Sequence, residues 1–156
     1  MTTTALRTHR AASEHDGNVM SARFSIARRN GPLRPEDACQ AGATRRIAAC
    51  RLRACGMQAM TDDVMLIVSE LVTNAVLHST GSLVSLEMSI EAGHLRIEVR
   101  GDAPAQVEVQ DAAPDAEAGR GLQIVQALVE AHDGRWGTGD EGATTWCLLS
   151  LAGARR

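Results

Sequence analysis

The chain has no lysine and no tyrosine, and its 156 residues include one phenylalanine and two tryptophans. Because every basic side chain is an arginine, any cationic contact to a phosphate must come from a guanidinium. Alanine, by contrast, is abundant, which fits the codon bias of a GC-rich genome better than a functional choice. Net charge is −3 with a pI near 5.9, and no basic block stands out, so nothing points to a nucleic-acid surface. No apolar run approaches the roughly 18 residues of a membrane span, and no signal peptide is visible. A cytoplasmic, reducing location without membrane contact is therefore expected. The four cysteines, Cys39, Cys50, Cys55 and Cys147, show neither CxxC spacing nor a neighbouring histidine pattern, which excludes a zinc motif. Three of them fall in one predicted helix, where a free cysteine ordinarily serves as a small buried hydrophobe.

What is present reads as one domain with a sizeable core. Residues 1–21 are polar and read as a disordered arm. Ala22 to Arg28 alternates enough for a short strand, broken by Asn30-Gly31-Pro32. Pro35-Glu36-Asp37 opens a helix running to Ala54 and stopped by Gly56. Ala38, Ala41, Ile47, Ala48, Cys50 and Leu52 offer its apolar surface. Arg45, Arg46, Arg51 and Arg53 form a basic exposed side, either a solvated face or a partner surface.

A central helix follows, with Thr61-Asp62-Asp63 as its N-cap and Ser79-Thr80-Gly81 as its stop. Val84, Leu86, Met88 and Ile90 then alternate with polar residues. So do Leu95, Ile97 and Val99 after an Ala92-Gly93 turn, which predicts an antiparallel hairpin with one wet face. Gly101 to Gly119 is a long loop, rich in alanine and acids, of the kind that serves function or disorder. Leu122, Val125, Leu128 and Val129 recur at helical spacing behind it. Gly134-Arg135-Trp136-Gly137 ends that helix and begins a strand. A final strand covers Thr144 to Leu149, with Trp136 and Trp146 as core or edge aromatics.

The central helix carries two stripes. Met65, Val68, Val72, Ala75 and Val76 form an apolar one, while Glu70, Asn74 and His78 stack one turn above another as a polar one. Such a polar border is commonly just solvated. A carboxylate and a carboxamide oxygen one turn apart can also orient a hydroxyl and bind a hard cation such as Mg²⁺. Gly119-Arg120-Gly121 ahead of the next helix offers N–H groups and a positive dipole end to an anion. A Rossmann reading fails, since the third glycine and a preceding strong strand are missing.

The wording Ser69-Glu70-Leu71-Val72-Thr73-Asn74-Ala75-Val76-Leu77-His78 closely resembles the N-box of GHKL-type ATP-binding domains, in particular the anti-sigma-factor serine kinases. Gly119-Arg120-Gly121-Leu122 resembles their second glycine box, and Gly142-Ala143-Thr144-Thr145-Trp146 resembles their closing Gly-x-Thr-x-aromatic strand. The resemblance implies an α/β two-layer sandwich (α+β): a mixed, mainly antiparallel sheet with helices on one face, spanning 22–152. An ATP lid would fall over 102–120. It implies Glu70 as general base or water-orienting group and Asn74 as the Mg²⁺ ligand. His78 would lie near the phosphates or cap its own helix. Asp102, Gly119, Arg120, Gly121, Leu122 and Thr144 would contact ATP. The Asp expected to read the adenine amino group aligns with Gly101; Asp102 comes one residue late, and the glycines after it are missing.

The function implied is that of an ATP- and Mg²⁺-dependent regulator phosphorylating or sequestering a small protein in transcription control. That partner would be a sigma factor or an anti-sigma-factor antagonist, and a homodimer through the first strand and helix is part of the pattern. The alternatives are a non-catalytic binding module of the same fold and an unrelated α+β domain.

Overall fold

The computed structural model describes residues 17–25, 35–78, 81–102 and 120–152. These hold five strands, β1 (Gly17–Ser25), β2 (Leu83–Glu91), β3 (His94–Gly101), β4 (Arg135–Gly139) and β5 (Thr144–Ser150), and three helices, α1 (Pro35–Ala54), α2 (Thr61–His78) and α3 (Gly121–Ala131). The sheet order is β1-β2-β3-β5-β4, and every described pairing is antiparallel, so the mixed character expected from sequence is absent among these strands.

The hairpin is where local sequence is most decisive. Val84, Leu86 and Met88 on β2 and Leu95, Ile97 and Val99 on β3 are all buried, because a period of two sends them to the same side. Ala92 (φ 46°) and Gly93 (φ 77°) both lie in the left-handed region, as a two-residue hairpin turn demands. All three helices cover that one buried face, α1 over β1, α2 over β2 and β3, and α3 over β4 and β5. The other face carries Arg96, Glu98 and Arg100 of β3, with the Arg96 guanidinium 5.6 Å above the Trp146 ring and 2.7 Å from Glu98.

Several elements start elsewhere than expected. β1 begins at Gly17, not Ala22, so residues 17–21 of the expected arm are strand. Its register slips at Val19, and Arg51 of α1 donates to the Val19 carbonyl at 3.0 Å. A bulge occupied by a guanidinium blunts this edge of the sheet. At the start of α2, Thr61 does not cap the helix. A 3-10 turn (Gln58–Met60) leads straight into it, and the buried Thr61 hydroxyl donates back to the Met57 carbonyl at 2.8 Å. The expected arm over 1–16, the break at 30–32, the stop at Ser79-Thr80 and most of the 102–120 loop lie outside the described residues.

α2 buries a wider stripe than the spacing suggested, since Val64, Ile67 and Leu71 join Val68, Val72 and Val76. α3 contributes Leu122, Val125 and Val129. Its C-terminal end is tied to the first turn of α2 by His132 Nε2 and Asp63 Oδ2, 2.8 Å apart. Just beyond, Gly134 donates to the Val129 carbonyl at 2.9 Å. A Cβ there would collide with the backbone carbonyl of Leu148, and backbone cannot swing aside, so only glycine closes this corner.

The cysteines correct the sequence reading. Cys39, Cys50 and Cys55 are exposed and only Cys147 is buried. α1 turns Ala48 and Leu52 inward instead. Burial pushes the Cys147 thiol up to about 12, which keeps it protonated and unreactive. A thiol reagent is expected to modify three cysteines of the native protein and a fourth only after denaturation, counted by absorbance. Ile67 has no exposure while neighbouring Leu66 is 42% exposed. Ile67→Ala is expected to cost about 2–5 kcal/mol and Leu66→Ala about 0.5 kcal/mol or less, read from urea unfolding.

Candidate functional site

Glu70, the first residue of the polar stripe of α2, meets the start of α3. A Cβ at Gly121 would overlap Glu70 Oε2 and lie 3.4 Å from Glu70 Cδ, so the carboxylate rests against the first residue of α3. Only a glycine permits that approach with the carboxylate in place. Asn74 is half-buried one turn further along α2, and His78 is the exposed last residue of the helix. Among the described residues neither the Glu70 nor the Asn74 side chain has a hydrogen-bond partner. The neighbouring Ser69 is engaged differently: it donates to the Met65 carbonyl at 2.7 Å and accepts from Arg45 of α1 at 3.3 Å.

Arg120 is exposed at the N-cap of α3, and its carbonyl accepts from the Ile124 N–H at 3.0 Å. Among the described residues no side chain hydrogen-bonds to this N-terminus; the Glu70 carboxylate is the negative group that lies against it, as the helix dipole favours. Leu122 is 5% exposed and belongs to the core; it can meet a ligand only through its backbone. Gly119 lies outside the described residues.

Chain connectivity also brings several strand ends together. β2 begins at Leu83, shortly after α2 ends, and its Val84 pairs with Gly101, the last residue of β3. Gly101 in turn donates to the Ala143 carbonyl at 2.8 Å, next to the start of β5. The end of β3 and the start of β5 therefore lie together, with the start of β2 beside them.

Two residues expected at this end sit differently. Thr144 pairs with Arg100 on the face away from the helices. Its hydroxyl donates to Asp140 Oδ2 at 2.8 Å, and Arg100 lies 3.7 Å from the same oxygen. The next residue, Thr145, faces the helices opposite Val99, is 7% exposed, and has no side-chain hydrogen bond among the described residues. From sequence alone Thr144-Thr145 reads equally well in either register.

Asp102 is exposed and turned to the β2 edge, where Ser82 Oγ lies 3.2 Å from its Oδ2 and its own N–H donates to the Leu83 carbonyl at 3.2 Å. The Leu83 backbone contact, helped by the Ser82 hydroxyl, holds this carboxyl below its ordinary range. Because the fold favours the ionised form, this contribution is present above the ordinary carboxylate range. It is lost as pH falls through the lowered value.

The described residues contain no cluster of three His, Cys, Asp or Glu side chains able to hold a metal alone. Mg²⁺ takes one or two protein oxygens and completes its shell with phosphates and water. The Asn74 oxygen and the adjoining carboxylate are of the right chemistry for such a partial site. A separate polar hollow of about 290 Å³, lined by His94, Asp133, Gly134, Arg135 and Leu148, sits where α3 ends and β3 begins, away from these groups.

An antiparallel sheet backed on one face by three helices, with the Glu70 carboxylate against the start of α3, makes a two-layer α+β scaffold. Residues 33–147 match the histidine kinase-like ATPase domain family, and the chain belongs to it. Among solved structures it is similar to the histidine kinase domain of a blue-light activated histidine kinase from Erythrobacter litoralis EL346. The identity is 24% and the TM-score 0.50, over 74% of this chain and 63% of that one. The chain thus spans under two thirds of that relative. No curated protein matches. Among the described residues no helix is long and apolar enough to cross a membrane.

Gly121→Ala is expected to fold with an unfolding free energy within about 1 kcal/mol of wild type, because a side chain rather than backbone blocks the new methyl. The Glu70 carboxylate is expected to leave the start of α3, which a crystal structure of the variant checks.

Proposed function

We propose that the chain is an ATP-dependent protein serine/threonine kinase of the anti-sigma-factor type, acting on a small regulatory protein. The observation that carries this reading is the Glu70 carboxylate against Gly121, the first residue of an uncapped helix. Phosphoryl transfer asks little of a protein beyond positioning and electrostatic stabilisation. The N-terminus of α3 and the Arg120 guanidinium take the terminal phosphates and offset charge developing on the transferred group. Glu70 orients the acceptor hydroxyl and accepts its proton as the new O–P bond forms and the bond to the β-phosphate oxygen breaks. Mg²⁺, held through Asn74, would supply charge neutralisation across the phosphates.

The partner would be a sigma factor or an anti-sigma-factor antagonist. The basic side of α1, where Arg46 and Arg53 are exposed, supports a protein-facing surface, either for that partner or for a second copy.

A second reading is a binding module of the same fold that sequesters its partner with weak or no nucleotide binding. It is favoured by Gly101 in the place of an adenine-reading Asp and by an Asp102 carboxylate held at the β2 edge.

Calorimetric titration with Mg·ATP is expected to show binding that Asn74→Ala weakens at least about ten-fold, the loss of one charge-assisted ligand contact. Glu70→Ala is expected to keep binding and lose phosphate transfer to a candidate partner by about 100-fold or more. Absence of binding at millimolar ATP leaves only the sequestering module.

A further inference from the structure

The polar hollow of about 290 Å³ beyond the C-terminal end of α3 has no part in the phosphate chemistry above. Leu148 of β5 lines it, paired with Arg135 of β4 on one side, while on the other His94 of β3 pairs with Ser150. Leu95, Trp136 and Cys147 point among the helices, so His94, Arg135 and Leu148 share the opposite face of the sheet. Two strand spacings separate the backbones of β3 and β4, roughly 10 Å. Asp133, from the turn after α3, also lines the hollow.

Its polar side chains are not spent on one another. Asp133 and Arg135 carry opposite charges two residues apart, yet among the described residues neither side chain has an ion-pair or hydrogen-bond partner. The backbone between them is fixed. Asp133 lies in the left-handed region (φ 49°), the Gly134 N–H is tied to the Val129 carbonyl, and any side chain at 134 would meet the Leu148 carbonyl. His94 presents a third group. Its Nδ1 lies 3.0 Å from the Ala92 carbonyl, which only accepts, so Nδ1 carries the proton and Nε2 of the neutral ring is left as an acceptor. Other charges nearby are engaged: Arg96 holds Glu98 and covers the Trp146 ring, and His132 holds Asp63.

This charge pattern selects the ligand. A metal ion finds donors in His94 and Asp133 but is opposed by the Arg135 guanidinium. A simple anion finds Arg135 but is opposed by the Asp133 carboxylate and by the negative end of α3. A molecule carrying both charges meets neither objection. The volume stands at the low end of ligand pockets, about 300 Å³, which suits a molecule of amino-acid size. We propose that the hollow binds a small free α-amino acid as its zwitterion. The carboxylate lies on the Arg135 fork. The ammonium donates to the Asp133 carboxylate and to His94 Nε2, and a short side chain rests on Leu148. The site shares no residue with the Glu70–Gly121 contact and does not depend on the nucleotide reading.

The test is a two-dimensional NMR titration of the isotope-labelled full chain with glycine, L-alanine and L-serine, each added separately. At least one is expected to saturate with a Kd of about 10 mM or tighter, moving the Gly134 and Arg135 amide signals. Its N-acetyl derivative lacks the ammonium and its carboxamide lacks the carboxylate. Each is expected to bind at least about ten-fold more weakly, the loss of one charge-assisted contact. Arg135→Gln and Asp133→Asn are expected to weaken the parent amino acid by about the same factor; asparagine tolerates the left-handed backbone as aspartate does. Asn74→Ala is expected to leave its binding unchanged. Thermal unfolding verifies that each variant is folded.

No signal change at these positions with any of the three amino acids overturns the proposal. So does a derivative that binds as tightly as its parent, which reduces the hollow to a site for a single charge. Unaltered affinity in both folded hollow variants puts the amino acid elsewhere on the molecule and overturns it as well.

Discussion

The approach of Glu70 to Gly121 is the constraint on which the site depends. A carboxylate can rest at the first turn of another helix only where the facing residue has no side chain, and the helix dipole favours a negative group there. That contact needs α2 and α3 to pack side by side, which the apolar stripes through Ile67, Leu71, Val125 and Val129 provide. The far end of the pair is held by His132 and Asp63. Both side chains are partly exposed, at 21% and 46%, so water screens this link and packing supplies most of the hold. The polar geometry of the site is thus set by the hydrophobic seam beneath it.

The sheet sets the remaining positions. Its strict alternation decides which of two adjacent residues faces the helices, and one step in register exchanges them. At the ends of β3 and β5 this matters twice. Gly101 and Thr145 face inward; Arg100 and Thr144 face outward, joined through Asp140. Within one architecture, that single step changes what a residue can touch. For this reason the family membership and the ligand chemistry of the chain are separate questions.

Much of this was legible in the sequence because local physics dominates it. The β2–β3 hairpin follows from two clean alternations and a left-handed Ala92-Gly93 turn. The bounds of α1 and α3 and the inward stripe of α2 follow from spacing. Other features depend on tertiary partners. Gly17 and Asn18 look like arm residues until β2 offers them a ladder. Thr61 looks like a cap, but the turn before it supplies a carbonyl for its hydroxyl. Thr144 to Leu149 carries apolar or ambivalent residues at both parities, so the buried face cannot be read from the strand alone. α1 is rich in alanine and arginine and only weakly amphipathic, which is why its cysteines were placed inside when they lie outside. The meeting of Glu70 with Gly121, far apart in sequence, leaves no local trace.

The two tryptophans divide between the sides of the sheet. Trp136 packs against the apolar interior, while Trp146 lies on the opposite side beneath Arg96 and beside Gly137. With no tyrosine in the chain, its near-ultraviolet emission comes almost wholly from these indoles. One is a reporter of the protein's interior, the other of its open surface, so a single-tryptophan variant of each kind would let intrinsic fluorescence watch the two layers independently.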